Sequence, residues 1–216
     1  MTLPHSRCHR GTRCPWIAAV LASFALAIVC SRAQADDRSL CGPEYAQDGQ
    51  LILPSNYREW YHASTSLGLT YGPAAPPPDA PQLFDTVYVS WAAYHAFVQT
   101  GTWPDGTMFI LELRQSYTPE AVQVGSLVPG DIVAIEAEVK DLGRFGGNGW
   151  RFFSFSGPQG TIADTAAPIE SNASCYACHA ANTAVDNTFV QFYPPLMEIA
   201  EQFGTIRPDW DPTRAF

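Results

Sequence analysis

Lysine is all but missing from these 216 residues: Lys140 is the only one, so any chemistry that needs a side-chain amine has a single address. Basic charge is scarce as well, with 12 Lys and Arg against 21 Asp and Glu and a formal net charge of -9. Such a surface repels nucleic acid and anionic lipid; it serves solubility, or docks a basic partner. Long apolar runs are also lacking, since the stretch from Trp16 to Cys30 falls short of the ~20 residues that span a membrane. Beyond Met1, methionine occurs only at positions 108 and 197, and there are no internal repeats.

What the N-terminus does contain is ordered. His5, Arg7, His9, Arg10 and Arg13 precede the apolar run, and Ala33-Gln34-Ala35 follows it. That sequence of basic, apolar and small residues predicts a secretory signal, residues 1–35, cleaved after Ala35 and leading to the periplasm. Cys30 follows the bulky Val29, which argues against a lipidated cysteine. Residues 36–216 are then expected to form one domain. Loss of Arg7, Arg10, Arg13 and Arg32 leaves 8 basic against 21 acidic residues, a formal charge of -13. Cys8, Cys14 and Cys30 leave with the signal, and Cys41 reads as a free thiol.

The remaining chain reads as strands joined by turns. Asn56 to Tyr61 reads as a short helix, and Gly72 to Pro81, with five prolines, as an irregular connection. Strands are predicted from Phe84 to Val89, Thr107 to Arg114, Asp131 to Lys140 and Trp150 to Phe155, with a helix from Trp91 to Thr100 closed by Gly101. In the third strand one alternate set is apolar and the other carries Glu136 and Glu138. Helices are predicted from Ala180 to Phe192 and from Pro195 to Phe203. Without a regular alternation of strands and long helices, the fold class is α+β, mainly an antiparallel β-sheet with short helices.

The chemistry concentrates at Cys175-Tyr176-Ala177-Cys178-His179. Two thiols spaced by two residues can each close a thioether to a haem vinyl group, and the following histidine can ligate the iron, so the motif predicts one covalently attached haem c. A disulfide or half of a zinc site would use the same cysteines. The other zinc candidates, Cys41, His62 and His95, show no ligand spacing of their own. The haem is expected to be held by the C-terminal loop and helices.

The chain resembles the cytochrome P-460 family, whose members include hydroxylamine-oxidising enzymes and nitric-oxide-binding cytochromes c-prime-beta. The resemblance rests on Asn56-Tyr57-Arg58-Glu59-Trp60, Thr65-Ser66-Leu67-Gly68, Thr86 to Val89, Thr100-Gly101, Asp105-Gly106-Thr107, Val139-Lys140-Asp141 and Arg144-Phe145. It continues through Trp150, Phe152 to Phe155, Cys175 to His179, Phe189 and Phe192-Tyr193-Pro194. It implies a homodimer of mostly antiparallel β domains, each with one haem c bound through Cys175 and Cys178, His179 as the iron ligand, and an open sixth position. Phe109, Leu111 and Phe153 are the expected haem-lining residues, with Phe155 beside them; each of these aromatics also reads as ordinary sheet core. Hydroxylamine-oxidising members carry a porphyrin-linked lysine in the strand after the Asp-Gly-Thr turn, and the corresponding residue here is Leu111, so no lysine cross-link is expected. Lys140 is then expected in a surface ion pair with Asp141 or a neighbouring acid.

An open iron beside apolar side chains suits nitric oxide. Oxidation of hydroxylamine further needs a base, for which Asp85 is the candidate, ahead of His62 and His95; Asp85 also reads as a surface acid opening its strand. Electron exchange at the iron would call for a redox partner protein. A plain electron-transfer cytochrome with Met108 as sixth ligand is the contrasting expectation.

Overall fold

A computed structural model describes residues 42–69, 80–122 and 124–213, all within one compact unit, Ser39–Phe216. The expected signal segment, Cys41 and most of the proline-rich connection lie outside the described residues. In chain order the elements are β1 (Leu51–Ile52), β2 (Tyr61–Leu67), β3 (Leu83–Val89), α1 (Trp91–Thr100), β4 (Met108–Tyr117), β5 (Val128–Lys140), α2 (Leu142–Phe145), β6 (Trp150–Ser154), β7 (Thr165–Ala166), α3 (Ser174–Asn182) and α4 (Pro194–Phe203).

The fold is α+β. Strands β2 to β6 form one antiparallel five-stranded sheet in sequence order, and β1 pairs with β7 in a second, two-stranded sheet. The strand register sorts every side chain to one of two faces, because alternate residues of a strand point opposite ways. Val87 lies opposite Leu111 and Val89 opposite Phe109; across β5, Phe109 meets Glu138 and Leu111 meets Glu136; across β6, Glu138 meets Phe152. These residues define the first face. Met108 opposite Val139, Ile110 opposite Ala137, and Ala137 opposite Phe153 define the second.

Each face has its own core. On the first, Val89, Phe109 and Trp150 pack with Phe97 of α1 and Leu196 and Ala200 of α4. On the second, Met108, Ile110, Ile135, Val139, Phe153 and Phe155 pack with Leu51, Tyr57 and Trp60. An antiparallel sheet covered on both sides explains why β4 reads as nearly continuous apolar sequence at its start, Met108-Phe109-Ile110-Leu111, without alternation.

The expected helix over Asn56 to Tyr61 shrinks to one 3-10 turn, Tyr57–Glu59, after which Trp60 turns extended and β2 begins. This edge strand, His62-Ala63-Ser64-Thr65-Ser66, carries little apolar contrast because most of it is exposed; its pairing with β3 makes it a strand. The expected helix over Ala180 to Phe192 is also redrawn. Helix α3 begins before the motif, at Ser174, and stops at Asn182. The β-branched Thr183, Val185 and Thr188, with Asp186-Asn187 between them, form a tight turn instead, and a 3-10 turn, Val190–Phe192, follows.

Candidate functional site

Helix α3 carries Cys175 in its first turn and Cys178 and His179 one turn later, so Cys175 and His179, at i and i+4, share a face. Local bonds fix the helix. The Tyr176 hydroxyl donates to the Ile169 carbonyl at 3.0 Å and its ring packs edge-on to Phe152. At the C-terminal end the Thr183 hydroxyl donates to the His179 carbonyl at 2.6 Å and Arg207 Nη1 donates to the Ala180 carbonyl at 2.6 Å, satisfying carbonyls that the helix leaves open. The two cysteines are half-buried free thiols, not a disulfide. Burial pushes the Cys175 thiol above its ordinary value, with the Glu136 charge adding to the effect.

The His179 ring lies between Phe152, 4.4 Å away between centroids, and Phe189, at 4.6 Å. Its Nδ1 is 2.8 Å from the Asn187 carbonyl oxygen and 3.4 Å from Glu138 Oε1. A carbonyl oxygen only accepts, so Nδ1 carries the hydrogen and the Nε2 lone pair is left for a metal. Burial alone would lower the His179 pKa; the Glu138 charge and the Asn187 carbonyl outweigh it and hold the imidazole above its ordinary value. Burial raises the Glu138 carboxyl, and among the described residues its buried Oε1 has no hydrogen-bond partner. A histidine tied through one nitrogen beside two unpaired thiols on one helix is the donor set that a covalently attached haem needs.

A family model described as Cytochrome P460 matches residues 54–190, a span that includes the five-stranded sheet, the motif and Asn187. The chain belongs to the cytochrome P460 family. Membership implies a haem cofactor, and the donors on α3 fit one. A comparison with curated proteins finds no match.

Against this cytochrome P460 frame the sequence-predicted residues divide. Leu111 is half-buried on the first face, the side to which α3 packs, between Val87 and Glu136 in the register. Phe109 shares that face but lies deeper, with its ring 4.8 Å from Trp103 and stacked at 6.4 Å on Tyr193. Phe153 does not meet His179: its side chain is in the second core, and the neighbouring Phe152 provides the ring against the imidazole. Phe155 is likewise in the second core. Asp85 stands on the first face opposite Leu113 and accepts a hydrogen bond from the Ser66 hydroxyl; burial raises its pKa. The buried Tyr193 phenol is raised by desolvation and by the Glu138 and Asp85 charges, which face the same side of the sheet.

Other candidates lie elsewhere. His62 bonds Thr65 on β2 at 2.7 Å, and His95 stacks on Trp91 of α1. Among the described residues no three His, Cys, Asp or Glu side chains gather as a metal cluster. Met108 is fully buried in the second core, across the sheet from His179, which contradicts its role as a sixth ligand. Lys140 is not in a surface ion pair with Asp141 or an acid beside it in sequence: its side chain is only 14% exposed and pairs with Asp186, 46 residues on, at 2.7 Å. Four residues around His179 were not among the expected site residues: Phe152, Phe189, Glu138 and Asn187. For Glu138 the available signal was its place in β5 between strands rich in phenylalanine, where an acid is expensive unless it has work to do.

Proposed function

We propose that this cytochrome P460 family protein is an exported mono-haem c-type cytochrome whose open iron site binds or redox-converts small nitrogen oxides such as nitric oxide and hydroxylamine. Cys175 and Cys178 would hold the haem through thioethers and His179 Nε2 would hold its iron. One observation carries the reading: within the family span, His179 is tied through Nδ1 beside two free half-buried thiols on the same helix. When bound, the haem supplies an iron that takes a diatomic or amine ligand and exchanges electrons with it.

The chain's own residues supply orientation and proton handling. Phe152 and Phe189 hold the imidazole ring, and the Asn187 carbonyl fixes its tautomer. Leu111, Val87 and Leu113 give the first face an apolar stretch that favours weakly polar ligands over water. Asp85, with its carboxyl raised by burial and its oxygen bonded by Ser66, is the candidate proton acceptor. Leu111 stands in the strand after the Asp-Gly-Thr turn, and the Lys140 amine is engaged by the Trp103 carbonyl and Asp186; both favour a haem without a lysine cross-link. Within this reading the protein is a periplasmic homodimer that does not bind nucleic acid. No described helix is long and apolar enough to cross a membrane.

The optical spectrum of the purified holoprotein tests the proposal, first ferric and then ferrous, with nitric oxide and separately hydroxylamine plus an electron acceptor. The expected result is a high-spin c-type spectrum without the strong red shift of a cross-linked haem, altered by nitric oxide. Cys175→Ala removes one thioether, and His179→Ala abolishes the native spectrum. If hydroxylamine is turned over, Asp85→Asn is expected to slow it roughly 100-fold, the usual range for losing a positioned base, while nitric oxide binding persists. A low-spin resting spectrum, or a protein without covalent haem, overturns the proposal.

A further inference from the structure

The only lysine of the chain bonds a turn whose Asn187 carbonyl accepts from His179. Residues 183–188 connect α3 to the Val190–Phe192 turn, and two successive non-glycine residues there, Asp186 at φ 40° and Asn187 at φ 67°, are left-handed. Asp and Asn tolerate that region better than other residues, yet it still costs energy and persists only where the surroundings enforce it. Three distant donors do so. Lys140 Nζ, at the end of β5, donates to Asp186 Oδ2 at 2.7 Å and to the Trp103 carbonyl at 2.9 Å. The Trp150 indole donates to Asp186 Oδ1 at 3.2 Å, and the Trp103 indole to Thr188 Oγ1 at 2.8 Å. The product of this clamp is the direction of one carbonyl, that of Asn187, which takes His179 Nδ1–H. A competitor stands beside it: Glu138 Oε1, 3.4 Å from the same nitrogen and without a hydrogen bond among the described residues.

We propose that Lys140 is a positioning residue for the histidine ligand: by clamping Asp186 it fixes the turn so that the Asn187 carbonyl, and not the Glu138 carboxyl, receives His179 Nδ1–H. The inference rests on the reading of His179 as the haem ligand. Its consequence is a chosen ligand strength. A peptide carbonyl withdraws less proton density from Nδ1 than a carboxylate does, so the imidazole remains a moderate donor. Releasing the turn hands Nδ1–H to Glu138, strengthening the histidine as a donor and lowering the haem potential.

The test is made on holoprotein, by resonance Raman of the ferrous state and by redox titration. Lys140→Met is expected to move the iron–histidine stretching band upward and the midpoint potential downward, and Lys140→Arg to restore most of both. Asp186→Asn, which removes the charge and keeps a residue that tolerates the left-handed region, is expected to move them the same way by less; if Lys140→Met does not accumulate, it decides alone. An unchanged or downward-shifted band in Lys140→Met and Asp186→Asn overturns the clamp. Wild-type protein without covalent haem, or a His179→Ala protein with the wild-type band, would instead sink the underlying ligand assignment.

Discussion

Glu112 gathers Tyr57, Arg58 and Arg114, and it lies across the sheet from His179. It is 3% exposed, accepts from the Tyr57 hydroxyl and from Arg58 Nε at 2.8 Å, and pairs with Arg58 Nη2 at 2.6 Å and Arg114 Nε at 2.5 Å. Burial alone would raise its pKa; the hydrogen bonds from Tyr57, Arg114 and Arg58 and the Arg114 charge outweigh it, so the carboxyl titrates below the ordinary glutamate value. A depressed carboxylate stabilises the fold above its unfolded pKa, and that contribution is lost as pH falls through the lower folded value. Glu112→Ala is therefore expected to cost about 3 kcal/mol near neutral pH, with the deficit shrinking as pH drops through and below the glutamate range, read from urea denaturation at several pH values. The same parity that puts Glu112 on the face away from His179 explains why Phe152, and not Phe153, meets the imidazole. Four aromatic or polar residues in a row, Phe152 to Phe155, give no alternation, and only pairing with β5 decides which ring faces which core.

Among the elements, those with strong local signals were legible. Helix α1 ends where Gly101 takes a left-handed φ of 69° and its N–H closes on the Phe97 carbonyl, as the Thr100-Gly101 sequence suggests. The position is doubly restricted, because a β-carbon there would lie 2.7 Å from Phe203 Cβ, at the end of α4. Gly101→Ala is expected to cost about 2 kcal/mol, measured by the shift in denaturant midpoint at unchanged m-value, and to loosen α1 from α4. Elements set by pairing or by distant bonds were not legible. Strand β2 takes its form from β3, and the break after Asn182 takes its form from Trp103, Lys140 and Trp150. The motif itself was legible, while the turn that orients its histidine was not, since its anchors come from far along the chain.

Over the whole molecule the sheet acts as a partition. The first face meets α1, α3 and α4 and holds His179, Glu138, Asp85 and Tyr193; the second is a closed apolar core with the Glu112 cluster beside it. Four of the five strands of the main sheet could be read from β-branched and aromatic content, and the antiparallel class from the turns between them. The assignment of sides could not, because β4 is apolar toward both. The partition predicts that Met108→Leu, a near-isosteric change in the second core, leaves the haem spectrum unaltered and costs under about 1.5 kcal/mol. A spectral change in that variant would mean that the two faces communicate through the sheet.

The burial of Lys140 also sets how the protein meets amine-directed reagents. With one lysine in the chain, held between a carbonyl and a carboxylate and 14% exposed, acylating or reductively alkylating agents find no free side-chain amine on the folded surface. Modification at that site requires the Asp186 turn to open first, so the rate at which a small acylating reagent marks Lys140 is a clock for transient release of the segment behind the histidine.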